Sequence, residues 1–371
     1  MTNPERLTIL VTTYNRYPSL LRLLKYAAAV RVPYPIHVLD SSTDPIASDE
    51  LQRCLEAPGV LYRRYDSTTS PMHKLREGLN KVSTPFVVQW ADDDFLVPGS
   101  LEAGVDFLDT HPTYSIVHGR GAIFTMERQN GTRLPGFMPY WQRAVVGRSA
   151  AQRLQDYLDR YAVFNYSVHR TEHLARHVSL CCEHGFGYHW GELALGSLSV
   201  IQGNAHMLNR LYLVKETHRE PDAWLRWLEG EACQRKGNAF DWITQEEFPA
   251  GYRVFRDCLA SEISRVDGLS PAEAQEVIRI AFWRYLSMFL TRNWHRLYGP
   301  PSRRPLDRAR AAARTIPGLR RLWRRARYWV PHRRETLSLP ALLRSSSLYH
   351  ADFMPVYRAV TTDGPPDRDE Q

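Results

Sequence analysis

Residues 7–14, Leu-Thr-Ile-Leu-Val-Thr-Thr-Tyr, form a near-continuous run of apolar and β-branched side chains. That pattern belongs to a strand buried on both faces, as in a parallel sheet. Asn15 and Arg16 turn the chain, Pro18-Ser19 open a helix, and Leu20, Leu21, Leu23 and Leu24 give it an apolar stripe. A second strand over 36–39 runs into Asp40-Ser41-Ser42, a helix follows over 48–55, and a short strand over 60–62 leads to Asp66. A helix around 74–81 precedes the apolar run 86–90, which ends at Asp92-Asp93-Asp94. This alternation predicts an α/β fold: a doubly wound, mostly parallel sheet with helices on both faces.

Further on, the pattern predicts a helix over 100–109, a strand near 115–118, an irregular stretch over 119–145, and a helix around 150–161. A strand-like run over 163–169 leads to a loop, then to a helix over 192–202 with Gly203 as its C-cap and a strand over 211–214. From about 221 the chain reads as helical, over 221–236, 245–266 and 271–297. Ser270-Pro271-Ala272-Glu273 supplies an N-cap, a first-turn proline and a capping-box glutamate. The expected organisation is an α/β domain over 1–220 (halves 1–118 and 119–220), a helical subdomain over 221–298, a basic amphipathic region over 299–360, and a disordered tail over 361–371.

Composition narrows the class. At 371 residues, with 43% hydrophobic and 24% charged residues, the chain suits one large globular domain with a smaller appendage. Its five cysteines form no regular framework and no CxxC pair, so reduced thiols and a cytoplasmic location are expected. Neither a signal peptide nor a transmembrane helix is expected. The net charge is +8, and much of the excess lies between Arg303 and Arg334. There, Ile316, Leu319, Leu322, Trp323, Trp329 and Val330 are interleaved with arginines. Two readings stay open for that stretch: a packing or partner surface, and a peripheral contact with the anionic inner face of a membrane. No recognition motif accompanies the charge, so no nucleic-acid partner is expected.

The candidate chemistry lies at the strand ends. Thr12-Thr13-Tyr14-Asn15-Arg16, Asp40-Ser41, Asp66 and Asp92-Asp93-Asp94 each follow a predicted strand. In an open α/β sheet those ends line one cleft. Three adjacent carboxylates repel one another and are best tolerated beside a cation. Oxygen donors suit Mg²⁺ or Mn²⁺, usually together with substrate phosphates. The plain alternative is a solvated acidic turn before the helix that starts near Pro98. There is no GxGxxG after the first strand and no GxxxxGK[ST], which argues against dinucleotide and P-loop sites.

Four blocks in order carry a resemblance: Leu10 to Arg16; Val38-Leu39-Asp40-Ser41-Ser42; Lys74…Gly78-Leu79-Asn80…Thr84-Pro85; and Asp92-Asp93-Asp94-Phe95-Leu96-Val97-Pro98-Gly99-Ser100-Leu101. Over residues 6–110 the chain resembles family 2-type glycosyltransferases of GT-A fold, bacterial sugar transferases with a DDDF…P block among them; the likeness is looser to about 220. The resemblance implies a nucleotide-diphosphate sugar as donor and Mn²⁺ or Mg²⁺ as cofactor. It implies an acceptor that is a glycan, a lipid-linked molecule or a small molecule, in bacterial polysaccharide or glycoconjugate assembly. It places the nucleotide against Thr12, Thr13, Tyr14, Asn15, Arg16, Asp40, Asp66 and Lys74, with Asp92 and Asp93 at the ribose. It gives the metal to Asp92, Asp93 and Asp94, joined by His218. It makes Glu192, at a helix start, the base that deprotonates the acceptor hydroxyl, with inversion at the anomeric carbon. The neighbouring Tyr188, His189 and Trp190 read, from the residues themselves, as an aromatic pocket around that carboxylate. Many relatives have Asp-x-Asp-Asp at the acidic block, where this chain has Ala91 first, and Glu-Asp where it has Glu192-Leu193.

Two rival functions stand beside this one. A nucleotidyltransferase on a similar fold would carry a Gly-rich basic loop after the first strand, which Thr13-Tyr-Asn-Arg-Tyr-Pro does not resemble. A non-catalytic nucleotide-sugar-binding scaffold would not need the intact acidic triplet.

Overall fold

The computed structural model describes residues 3–129, 132–217, 242–297 and 337–362. Nine strands form one sheet: β1 (Leu7–Thr13), β2 (Ile36–Asp40), β3 (Val60–Arg64), β4 (Phe86–Ala91), β5 (Phe95–Leu96), β6 (Tyr114–Gln129), β7 (Thr132–Tyr140), β8 (Val168–Arg170) and β9 (Asn204–Glu216). Their order is β3-β2-β1-β4-β8-β6-β9-β5, with β7 paired to β6. The first four strands are parallel. The second half is mixed: β8 runs antiparallel to β4 and β6, β9 lies parallel to β6, and β5 pairs antiparallel with β9. This is the α/β architecture expected from the sequence, with a sheet parallel in its first half and helices on both faces, followed by a helical C-terminal region.

Each face of the sheet carries its own core. Leu7, Ile9 and Val11 of β1 face one side, with α1 (Tyr17–Ala29), α2 (Asp49–Leu55) and α4 (Pro98–Thr110). Leu10 faces the other, with α3 (Pro71–Leu79), α5 (Ala150–Asp159), α6 (Thr171–Glu183) and α7 (Tyr188–Gln202). Two further helices, α8 (Phe248–Asp267) and α9 (Pro271–Leu297), extend this second core through Phe255, Leu259, Ile278 and Phe282. The period-2 alternation of β1 thus feeds two apolar layers, which is why its sequence is apolar almost throughout.

Several elements differ from the sequence reading. The stretch expected to be irregular over 119–145 contains most of the β6–β7 hairpin. Its glycines serve contact, since a Cβ on Gly119 would lie 2.8 Å from the Arg210 carbonyl and one on Gly121 2.8 Å from the Tyr140 ring. Helix α6 replaces the expected loop after residue 169. It has no side-chain N-cap, and its inward stripe, Leu174, His177, Val178 and Cys181, includes a histidine, which blurs the apolar period. Helix α7 begins at Tyr188, so Glu192 sits one turn inside it. Gly203 does end α7, but with an extended backbone; a Cβ there would lie 2.9 Å from Ser115 N, so close packing on β6 explains the glycine.

The chain returns to the sheet at its C-terminal side. Leu337, Leu342 on α10 (Leu339–Leu342), Tyr349 just before α11 (His350–Thr362), and Phe353, Val356 and Val360 along it join the first core. Phe353 meets Phe137 of β7 edge-on, with ring centroids 4.9 Å apart. The predicted helix over 221–236, the basic stretch 303–334 and tail residues 363–371 lie outside the described residues. Among the described residues no helix is long and apolar enough to cross a membrane.

Beneath the second half of the sheet lies a buried histidine layer. It comprises His118 on β6, His169 on β8 and His177 on α6, with half-buried His173 one turn before His177. Both ring nitrogens of His169 and Nδ1 of His177 have no hydrogen-bond partner among the described residues. Burial pushes His169 down to about 3, His118 to about 4 and His177 well below its ordinary value. The charged groups nearest the layer are mixed: Arg170, Arg176 and Arg265 disfavour protonation, and Glu172 favours it at His173. In the unfolded chain histidine titrates near 6.5, so below that pH the unfolded state binds more protons and these histidines subtract stability as pH falls. We expect the urea midpoint to drop between pH 7.5 and pH 5.0, and to drop less in His177→Leu, because groups outside the layer cancel in that comparison. An equal drop in both proteins would remove the histidine layer as the cause.

Candidate active site

Register brings the strand ends together. Thr13 of β1 lies opposite Asp40 of β2, and Thr12 opposite Ala91 of β4. The loop after β1 is fixed by β2: Asn15, in the left-handed region at φ 51°, donates its N–H to Ser42 Oγ and accepts from Thr43 N through Oδ1 at 2.9 Å. Asp40 is fully buried, and its carboxylate accepts from Tyr17, Tyr62, and both the N–H and the hydroxyl of Ser42. Lys74 is also buried and donates to the Thr13 carbonyl at 2.7 Å; burial lowers its ammonium to about 8. Asp40 and Lys74 therefore brace the β1 end from below. Tyr14 is half-buried beside them. Asp66 stands exposed after β3 and accepts from the Thr68 N–H and hydroxyl.

The acidic triplet is a tight turn at the end of β4, closed by Asp94 N to the Ala91 carbonyl at 3.1 Å. Arg16 bridges its first two members. It donates to both carboxylate oxygens of Asp92 and, through Nη1, to Asp93 at 2.7 Å. Asp94 is held separately, by Lys215 Nζ at 3.1 Å and by the Glu216 N–H at 2.9 Å. Behind it Arg22 pairs with Glu216, both almost fully buried, and donates to the Asp93 carbonyl. Burial raises Asp92 to about 6 and Asp94 to about 7, with Asp93 adding repulsion and Arg16 and Lys215 opposing it. Asp93 is the triplet member whose side chain reaches solvent, at 14% exposure against 0% for the other two.

Lys215 was not singled out from sequence as a site residue. Its ammonium lies 4.9 Å from the Tyr166 ring, and Tyr166 and Tyr140 stand in the combined field of Lys215, Asp94 and Glu192. The two tyrosines link the acidic turn to Glu192, which is half-buried and accepts from the Tyr161 hydroxyl at 3.0 Å. The pocket expected from residues 188–190 is placed otherwise. Trp190 packs into the helical core against Trp242, Phe248, Phe255 and Phe282. At 100° per residue, positions 190 and 192 point to opposite sides of α7, so the aromatic surroundings of Glu192 are tyrosines from other elements. His218 lies outside the described residues.

No cluster of three or more His, Cys, Asp or Glu side chains poised for a metal ion occurs among the described residues. The donor chemistry of the triplet nonetheless suits a hard cation: three carboxylates face two protein cations, and burial raises two of the three. A cavity of about 1080 Å³ opens at the opposite ends of the strands, among Thr8, Ile36, Val60 and Thr84, and none of the sequence-predicted site residues lines it.

Residues 8–176 match the family described as Glycosyl transferase family 2. The matched stretch runs from β1 into α6 and contains the whole acidic turn. A glycosyltransferase of Bacillus subtilis (strain 168), YwdF, is described as uncharacterized and is 24% identical over 131 residues, which is 35% of this chain and 47% of the relative. The chain thus spans about half the length of that curated relative. Among solved structures, TarS 1–349 of S. aureus in complex with UDP-GlcNAc is similar at 17% identity and TM-score 0.47, over 79% of this chain and 76% of that one. The same TarS fragment without that ligand is similar at 14% identity and TM-score 0.40, over 80% and 93%. These are distant likenesses.

The Lys215–Asp94 pair has a testable cost. Asp94 is fully buried, so removing Lys215 leaves its charge uncompensated, which costs about 3 kcal/mol. Lys215→Met should lower stability by about that amount in urea unfolding, and Asp94→Asn with Lys215→Met should recover more than half of it. A single variant as stable as the parent would mean that the pair does not hold the turn.

Proposed function

We propose that this chain is a glycosyltransferase that moves a sugar from a nucleotide-diphosphate donor to an acceptor hydroxyl, with inversion. The observation that carries the reading is a cation-flanked acidic turn at the carboxyl ends of the parallel strands, linked through Tyr166 and Tyr140 to Glu192, a carboxylate with no cation partner among the described residues. The family match over 8–176 supports it.

The two sides suit different parts of a displacement. The nucleotide lies along the Thr12–Arg16 loop, whose shape Asn15, Ser42 and Asp40 fix. Asp93, the accessible carboxylate, and Asp92 beside it are the residues that would hold Mn²⁺ or Mg²⁺; Asp94 is turned into its pair with Lys215. A divalent ion bound there supplies charge neutralisation for the donor diphosphate. Lys215 adds a fixed positive charge between the turn and Glu192, where negative charge on the departing diphosphate is best stabilised. Glu192 takes the proton from the acceptor hydroxyl. A base must be free to accept, and Glu192 meets a tyrosine hydroxyl, whereas all three Asp carboxylates meet Arg or Lys.

The nucleotidyltransferase reading has no specific observation in its favour: the loop after β1 is held by Asn15 and Ser42 and carries no glycine. UDP-GlcNAc, named with the TarS structure, is a reasonable first donor to try.

The first test is a thermal-shift screen against nucleoside diphosphates and nucleotide sugars, with and without Mn²⁺. We expect one nucleotide class to raise the melting temperature by mass action, more with metal than without, and Asp93→Ala to abolish the metal-dependent part. Glu192→Gln should keep that shift and lose turnover by about a hundredfold or more. No shift with any nucleotide in a folded sample would refute the donor site; turnover retained in Glu192→Gln would refute the base.

A further inference from the structure

Glu192 does not stand alone on α7, and what holds it comes from two other elements. Tyr161, two residues beyond the end of α5, donates its hydroxyl to Glu192 Oε1 at 3.0 Å. Its ring is fixed from two sides, by Tyr157 of α5 and by Tyr285 of α9, each with centroids 5.4 Å away. Tyr157 is itself fully buried, and its hydroxyl has no hydrogen-bond partner among the described residues. That hydroxyl abuts Gly196, one turn beyond Glu192 on the same face of α7, where a Cβ would lie 2.0 Å from it. Gly196 therefore opens the space that Tyr157 fills, Tyr157 backs Tyr161, and Tyr161 grips one carboxylate oxygen.

We infer that Tyr161 is a positioning residue for the base: its hydroxyl fixes Glu192 through Oε1, leaves Oε2 to meet the acceptor hydroxyl, and stabilises the ionised carboxylate. The inference rests on the reading of Glu192 as base. The chemistry is one-directional. The Tyr161 hydroxyl is buried among tyrosines beside a carboxylate, which keeps it protonated and hence a donor. A hydrogen bond to the charged form of a carboxylate favours that form. No proton is transferred to or from Tyr161; the proton taken from the acceptor resides on Glu192.

Tyr161→Phe keeps the ring and removes the donor. The readout is turnover of whichever nucleotide sugar gives the largest thermal shift, followed against pH. The acid limb of kcat/KM should move to higher pH by about one unit, and kcat at neutral pH should fall about tenfold with the donor KM within about twofold. A merely structural role for the hydroxyl would lower stability without moving the pH profile. Gly196→Ala pushes on Tyr157 without touching Glu192 or the Tyr161 hydroxyl, and should reduce kcat in the same direction. If Glu192→Gln is inactive while Tyr161→Phe has the parent's pH profile and kcat, the positioning role is overturned and the base survives. If Glu192→Gln is fully active, the base reading falls and the positioning role with it. If Tyr161→Phe melts far below the parent, Gly196→Ala decides: the parent's kcat and pH profile in that variant would overturn the inference.

Discussion

The described structure is organised around a charge balance at the end of β4. Three consecutive carboxylates are brought into a turn that closes hydrogen bonds within itself, and two cations from distant strands hold them there. Arg16, from the loop after β1, spans Asp92 and Asp93; Lys215, from the end of β9, takes Asp94. Two like charges about 5 Å apart repel by on the order of 3 kcal/mol at an effective dielectric near 20, so such a turn needs these partners. Because the partners come from β1 and β9, the balance also ties the parallel half of the sheet to its mixed half. The buried Arg22–Glu216 pair repeats the tie one layer deeper, with Arg22 on α1 and Glu216 on β9.

A second constraint operates at helix α7. Helix α7 has to serve two surroundings at once, and its sequence divides them by angle. Trp190 faces the aromatic packing of α8 and α9, whereas Glu192 faces Tyr161. The helical region thereby becomes part of the site's foundation, since Tyr285 of α9 backs the ring that holds Glu192. A shift of α9 against α5 would be felt at the carboxylate, because packed interiors transmit displacement.

Much of the first half of this arrangement was legible in the sequence. Strands β1 and β4 are nearly continuous apolar runs, and each strand of the parallel half ends in polar residues, so both the fold class and the edge where those polar residues gather follow from local pattern. The acidic turn announces itself by adjacency. The second half was less legible for physical reasons. The β6–β7 hairpin is rich in Gly and Pro, which read as loop, yet Gly119 and Gly121 are glycines because strands and rings press on them. Helix α6 hides behind a histidine on its inward face. Asp40 and Lys74, expected at the nucleotide, are also bonded to groups of the chain itself, a bracing that adjacency in sequence does not reveal. Lys215 carries no local signature at all: one lysine among 48 basic residues gains meaning only when β9 lies beside β5.

The departure at Ala91 fits the same balance. In register it sits beside Thr12, at the level where many relatives of the resembled family place the first acid of the block. A carboxylate there would be a fourth negative group beside an Arg16 already divided between Asp92 and Asp93. With alanine, the turn keeps three carboxylates against two cations, a deficit of a single positive charge. Under the proposed function, a divalent ion held there would meet that deficit. Moving the acid from position 91 to 92 changes its partner as well as its place: Asp92 is fully buried against Arg16, so the loop after β1 and the acidic turn act as one unit. Changes in either are then felt by the other, as expected for groups that share one buried network.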